Sequence, residues 1–231
     1  MSRSTGNTFG LERGKVGDRI AIVLDGKQFY KGLYRPTNPR TPKQQMHRAK
    51  LAFANRLASQ LAEVVNIGFV RVPEPGSLQS PRNAFVKANW DNGALVWNDS
   101  RSAWELCPER LLLADGPRFI NPDMTASLEG NRLRITCPEP QRPCRYAVAD
   151  DQLRVVLYRP AVPEVLLLDG PLRDRCDGCH LTFPDGWLQG SDPVHIYAWF
   201  QATAYHRGNP SHATVSPDEA SPSRYLARLL S

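Results

Sequence analysis

The chain has 231 residues, of which 41% are hydrophobic and 23% charged, enough to bury a core as one large domain or two small ones. No apolar run approaches the ~18 residues of a membrane span, and the opening Met1-Ser2-Arg3-Ser4-Thr5-Gly6-Asn7 lacks the apolar stretch of a secretory signal. A membrane-spanning helical protein, a collagen and a wholly disordered chain are excluded, and cytoplasmic synthesis is expected, with incorporation into a virion or assembly to follow.

The net charge of +6 is unevenly spread. Residues 1–60 hold twelve Lys and Arg against three Asp and Glu, or +9, while the other 171 residues carry 17 basic and 20 acidic groups, or −3. Such asymmetry suggests an anionic partner for the first third, or an acidic surface on a neighbouring subunit.

In chain order, Ile20-Ala21-Ile22-Val23-Leu24 and Gln28-Phe29-Tyr30-Lys31-Gly32-Leu33-Tyr34 flank Asp25-Gly26, a two-residue turn signal, and predict a β-hairpin. Gly10, Gly14 and Gly17 precede it and suggest tight backbone turns or close packing against another chain. Thr41-Pro42-Lys43-Gln44 is a helix start, with a capping threonine and a proline at the first helical position. Met46, Ala49, Phe53, Leu57, Leu61 and Val64 follow at helical spacing, and Asn66 and Gly68 end the helix. Prolines break 71–125 into short pieces: a helix over Asn83–Trp90, and strands at Leu95–Trp97 and Leu111–Ala114.

Residues 126–216 read as all-β. Strands are expected at Leu133–Thr136, Leu153–Tyr158, Val165–Leu168 before an Asp169-Gly170 turn, Leu181–Pro184, Val194–Phe200 and Thr214-Val215. Short strands separated by turn signals predict an immunoglobulin-like β-sandwich. The fold class is therefore mainly β with one long helix (α+β). Its domains are a basic hairpin-helix segment (1–70), an irregular proline-rich connector (71–125), the sandwich (126–216) and an amphipathic tail (217–231).

Three motifs together carry a resemblance. They are Gly14-Lys15-Val16-Gly17 with Gly26-Lys27; Thr41-Pro42-Lys43-Gln44-Gln45 leading to Arg48-Ala49-Lys50-Leu51-Ala52-Phe53 and Ile67-Gly68-Phe69; and Leu181-Thr182-Phe183-Pro184 with Gly190-Ser191-Asp192-Pro193-Val194-His195-Ile196-Tyr197-Ala198-Trp199-Phe200. Over residues 10–216 the chain resembles a family of bacterial and bacteriophage proteins known as a domain of unknown function. The resemblance implies a glycine-lysine hairpin and helix joined to a C-terminal immunoglobulin-like or fibronectin-like sandwich. It implies no catalytic residues.

Five cysteines occur. Without a secretory signal, free thiols are expected over disulfides. Cys176-Asp177-Gly178-Cys179-His180 matches the haem-attachment pattern, but covalent haem needs export and a second axial ligand. Cys137, Cys144, Cys176 and Cys179 are candidate ligands of a structural zinc if the two pairs meet in space; no other cofactor is expected. No P-loop, G-x-G-x-x-G, H-E-x-x-H or G-x-S-x-G is present, and the histidines are scattered, so no enzyme is expected.

The first expectation is a non-enzymatic assembly protein, a virion component or filament subunit. It would associate with copies of itself or other structural subunits through Phe29, Tyr30, Tyr34, Tyr225, Leu226, Leu229 and Leu230, by strand addition and tail docking. The alternative is nucleic-acid binding through Lys15, Arg19, Lys27, Lys31, Arg35, Arg40, Lys43 and Arg48, where aromatics interleave with cations. A third is a carbohydrate-binding or adhesion module using Trp187, Tyr197 and Trp199.

Overall fold

The computed structural model describes residues 3–4, 12–24, 27–33, 40–69, 80–138, 147–187, 192–202 and 220–229. They are mostly β, in antiparallel sheets, with three α-helices. Two compact units divide them between Gln45 and Met46. Among the described residues no helix is long and apolar enough to cross a membrane.

The first unit is a small sheet of β1 (Arg3–Ser4), β2 (Glu12–Val16), β3 (Arg19–Leu24) and β4 (Lys27–Gly32), in that order. Gly17, at φ +59, turns β2 into β3, a left-handed conformation that glycine adopts without steric penalty. Leu24 pairs with Lys27 across β3 and β4, the register expected of a hairpin with two connecting residues; the expected turn residues Asp25 and Gly26 lie outside the described residues. The hairpin is therefore as expected, with β2 as an added strand.

Helix α1 (Pro42–Gln60) starts where its sequence predicts. Thr41 Oγ1 accepts from the Gln44 backbone N–H at 3.4 Å, which satisfies one of the unpaired donors of a helix start. The expected single helix is broken: Leu61 interrupts it, and α2 (Ala62–Gly68) completes the run. The apolar stripe is buried only in its second half. Ala54, Leu57, Ala58, Leu61, Val64 and Val65 are in the core, whereas Met46 is 41% exposed.

The second unit is built on one sheet. Strands β9 (Gln152–Arg159), β10 (Glu164–Leu172), β12 (Val194–Gln201) and β13 (Arg224–Leu229) are ordered β10-β9-β12-β13. Every residue of β12 is buried, as in a strand covered on both faces. Val156, Tyr158, Tyr197 and Trp199 point to the helices, among Leu57, Leu61, Val64 and Phe85. Leu153, Val155, Leu157, Ile196, Ala198 and Phe200 point the other way. There they meet Leu133 and Ile135 of β8 (Arg132–Thr136) and Leu181 of β11 (Cys179–Thr182). These two strands and β7 (Thr125–Glu129) form a second sheet, ordered β11-β8-β7. The period-two alternation of strands thus divides one sheet between two cores.

Four expectations need correction. The 71–125 stretch holds the expected helix and first strand as α3 (Pro81–Asp91) and β5 (Leu95–Asn98), but it is no simple connector: β6 (Ala103–Leu106) pairs with β5, and Phe85, Leu95 and Leu111 join the helical core. Leu111–Ala114 is buried but is not a strand. Side chains replace its ladder, since Asn89 Oδ1 accepts from Leu112 N at 2.8 Å and Ser223 Oγ from Leu113 N at 2.7 Å. Asp169-Gly170 lies inside β10, at a shift of register, rather than in a turn.

The fourth correction concerns the C-terminus. The segment read as an amphipathic tail contains β13, which pairs along β12. Tyr225 packs in the helical core, and Leu226 and Leu229 pack against the β-sheet core. A register shift at Ile196/Tyr197 gives β13 one extra residue, Leu226, so Leu226 and Ala227 both serve the second core. The β-rich part extends beyond 216, and Tyr225, Leu226 and Leu229 are half-buried within the fold. Thr214-Val215 and Leu230 lie outside the described residues.

Candidate functional site

The first unit places some of the predicted contact residues around an apolar patch on one sheet face. Directly opposed residues of an antiparallel pair share a face. Ile20 opposes Lys31 and Lys15, and Ile22 opposes Phe29. Lys27 alternates onto this face with Phe29, and Arg13 with Lys15. The result is an apolar centre of Ile20, Ile22 and Phe29 bordered by Arg13, Lys15, Lys27 and Lys31. Ile22 is 38% and Phe29 51% exposed. The opposite face carries Arg19, Ala21 and Tyr30. Arg19 is 3.7 Å from its neighbour Asp18, and the Tyr30 hydroxyl accepts from Gln28 Nε2 at 2.8 Å. The predicted anion and aromatic contacts of the hairpin thus divide between two faces.

Arg40, Lys43 and Arg48 are exposed around the start of α1. Tyr34, Arg35 and Cys144 lie outside the described residues. The tryptophans do not make an open sugar platform. Trp199 is fully buried, and the half-buried Trp187 ring has the Arg159 guanidinium 5.2 Å from its centre.

A second cluster lies where β8 meets β11. Cys179 pairs with Ile135, which carries Asp177 alongside Cys137, and the Cys137 backbone N–H donates to Asp177 Oδ1 at 2.9 Å. Cys176 and Cys179 close a tight turn, with Cys179 N donating to Cys176 O at 3.2 Å and Gly178 at φ +67. Cys137 and Cys176 are buried and Cys179 half-buried, all as free thiols. The interaction between the two thiols holds Cys137 below the ordinary thiol range and, with burial, pushes Cys176 above it. Burial pushes Cys179 up. One cysteine of each predicted pair therefore meets the other. Among the described residues no three His, Cys, Asp or Glu side chains are already grouped about one point as metal ligands.

Beside the thiols lies a buried ionic centre. Asp151 Oδ2 accepts from Arg173 Nη2 at 3.1 Å and from Val148 N at 3.1 Å. Arg118 Nη1 stands 3.6 Å from Asp151 Oδ1, with side-chain exposures of 1% and 0%. None of the three Arg118 guanidinium nitrogens has a hydrogen-bond partner. Arg173 also holds its guanidinium carbon 3.6 Å from the centre of Phe200 and acts electrostatically on Cys137 and Cys176. Two buried cations face one buried carboxylate.

Sequence reasoning missed this centre. Arg118, Asp151 and Arg173 carry no spacing signal, since 33 residues separate the first two. The face shared by Ile22 and Phe29 was within reach, because the Asp25-Gly26 turn fixes that register. Comparisons with protein-family models, curated proteins and solved structures found no match for the chain.

Proposed function

We propose that the chain is a non-enzymatic assembly subunit whose N-terminal sheet docks on a second copy of the chain. The observation that carries this reading is the exposed Ile22–Phe29 pair, bordered by four cations, on the sheet of the first unit. Interfaces are built from such an apolar centre inside a polar rim. Charge complementarity favours the same chain as occupant, because residues 1–60 carry +9 and the remainder −3. Strand β4 ends its sheet, so main-chain pairing along it can add to the contact.

The resemblance to bacterial and bacteriophage proteins agrees with this role, as a virion component or filament subunit. The strand order supports the immunoglobulin-like or fibronectin-like reading of the C-terminal part. Lettered A to G from β7 to β13, the sheets run E-B-A and D-C-F-G. That differs from the ABED and CFG division of an immunoglobulin constant domain only in the side taken by the fourth strand.

Sedimentation velocity over a range of concentrations tests the proposal, comparing the chain with an Ile22→Asp/Phe29→Asp variant. The expected result is an oligomer at low salt that the variant loses while keeping its melting curve. A wild-type chain that stays monomeric at high concentration and low salt overturns it.

A second reading is nucleic-acid binding, favoured by the same four cations around Phe29, which suit phosphate contact and base stacking. Filter binding at moderate salt separates the two readings. Retention of single-stranded DNA or RNA that is lost in Lys27→Glu/Lys31→Glu favours the second, and no retention removes it.

A further inference from the structure

The cations of the first unit's sheet oppose its docking on the same sheet of another copy. The face of Ile20, Ile22 and Phe29 is bordered by Arg13, Lys15, Lys27 and Lys31, with no acidic side chain among the described residues that share it. A two-fold contact sets a patch against itself. Four cations would then meet four cations across a border drained of water, and such juxtaposition is unfavourable. The receiving surface has to be a different one, with an apolar centre and acidic surroundings.

Among the described residues of the second unit, five large hydrophobic side chains stand exposed: Met46, Leu51, Val96, Leu128 and Val162. Met46 and Leu51 lie on α1, which carries Lys and Arg but no Asp or Glu. Leu128 of β7 opposes Leu133, whose neighbours on β8 are Arg132 and Arg134. Val162 lies between β9 and β10, flanked by Pro160 and Pro163, where the N–H groups that strand pairing needs are missing.

Val96, 44% exposed, has acidic company. It lies on β5 directly opposite Glu105 of β6. Asp91 and Glu109 stand at one end of this hairpin, where Cys107 N donates to Ala94 O and Asn92 Nδ2 to Arg110 O, and Asp99 stands in the turn at the other. Residues 91–110 hold four acidic side chains against two basic ones, and one of the two, Arg101, pairs with Glu105 at 3.0 Å. Strands β5 and β6 form a two-stranded sheet, so among the described residues both of its outer edges are open to strand addition by β4. The other face of the hairpin, with Leu95, Trp104 and Leu106, packs in the helical core and holds the surface in place.

We propose that the N-terminal sheet of one copy docks head to tail on the β5–β6 hairpin of the next, with Ile22 and Phe29 against Val96 and the bordering cations towards Asp91, Asp99 and Glu109. This rests on the assembly reading above and adds the surface that receives the sheet. The two surfaces differ, so every copy offers one of each. Contact then passes from copy to copy until a ring closes or a filament grows.

Sedimentation velocity at low salt on two variants and their mixture tests this. Ile22→Asp/Phe29→Asp disables the sheet, and Val96→Lys/Asp91→Lys disables the hairpin. Both hairpin positions are exposed, and Asp91 ends α3, where a cation suits the helix dipole. Each variant by itself should be monomeric with a wild-type melting curve. The equimolar mixture should form a dimer and nothing larger, through the one intact sheet and the one intact hairpin it still contains. If the hairpin double variant melts unlike wild type, Asp91→Lys by itself decides: assembly should weaken roughly 3-fold, and unchanged assembly overturns the proposal. A hairpin variant that assembles as well as wild type, or a mixture that stays monomeric, also overturns it while leaving the sheet's role in assembly intact. A wild-type chain that is monomeric removes both readings.

Discussion

Gly68 sits so close to Leu113 that a Cβ built on it would lie 2.1 Å from the Leu113 carbonyl oxygen and 2.9 Å from the Ala114 Cα. Both neighbours are backbone, and Asp115 N donates to Gly68 O at 3.1 Å in the same contact. This joint fixes the end of α2 to the segment that carries Leu111, Leu113 and Ala114 into the helical core. Gly68→Ala must therefore push two backbones apart. A loss of ~3 kcal/mol is expected, at the upper end of overpacking costs, or a melting point lower by ~6–12 °C for a chain of this size. Calorimetry showing an unchanged melting point would contradict the close approach.

Arg118 and Asp151 should respond unequally to mutation. Asp151 keeps two cations in the interior, and Asp151→Asn leaves both without a counter-charge. Removing one partner of a buried ion pair costs ~3–5 kcal/mol. Arg118→Met removes a cation that makes no hydrogen bond and leaves Asp151 its bonds to Arg173 and Val148. It should change stability by less than ~1 kcal/mol, since an apolar replacement of similar length is often neutral. Urea unfolding of the two variants checks the inequality, and equal losses would defeat it.

Lys50 ties α1 to the elements that follow. Its ammonium lies 4.1 Å from the centre of the Trp90 ring and 5.1 Å from that of Trp104. Trp104 Nε1 donates to Met46 O at 3.2 Å, and the His47 ring packs tilted against Trp90 with ring centres 4.9 Å apart. Lys50→Met keeps the aliphatic stem but loses the cation. A loss of ~1 kcal/mol is expected, the value of a partly exposed cation–π contact, and Lys50→Arg should restore most of it. Urea midpoints of the two variants decide this; a Met variant as stable as wild type removes the cation–π role.

Deletion of residues 220–231 should unfold the second unit, because β13 supplies Tyr225 to one core and Leu226 and Leu229 to the other. Ser221 and Ser223 go with it; their hydroxyls accept from Phe200 N at 3.0 Å and Leu113 N at 2.7 Å. Loss of a cooperative thermal transition is the expected result. A shortened chain that melts like the full one would return this segment to the role of a free tail.

The sequence made some elements legible and hid others for physical reasons. The β3–β4 hairpin was readable because Asp25-Gly26 admits few alternatives, and the start of α1 because Thr41 and Pro42 suit only a helix entry. Strand β13 was hidden: Tyr225, Leu226, Leu229 and Leu230 imitate helical spacing, because a strand that packs partly buried side chains on both faces and is bulged at Leu226 shows no period of two. Leu111–Ala114 looked like a strand because it is apolar, but Asn89 and Ser223 supply acceptors that a ladder would otherwise provide. At the thiol cluster Cys137, Cys176 and Cys179 were visible by spacing, while the cations beside them were not, since Arg118 and Arg173 look like surface residues until the chain folds over them.

His195 gives the fold a pH dependence whose sign is fixed by its surroundings. Its ring lies on β12 opposite Tyr158 and Arg228, with Nδ1 3.2 Å from the Tyr225 hydroxyl. Burial holds its pKa below the ordinary 6.5, the charge of Glu109 opposes that shift, and Arg228 adds to it. The folded state therefore prefers the neutral ring. Above about pH 6.5 both folded and unfolded chains are neutral here, and the contribution is fully present. As pH falls below 6.5 the unfolded chain takes up a proton that the folded chain resists, so stability drops until the folded pKa is passed. Glu109, also held below its ordinary range, titrates lower and does not enter between pH 7.5 and 5.5. Urea midpoints measured across that interval should decline for the wild-type chain and more shallowly for His195→Gln. Parallel declines in the two chains would assign the dependence to other groups.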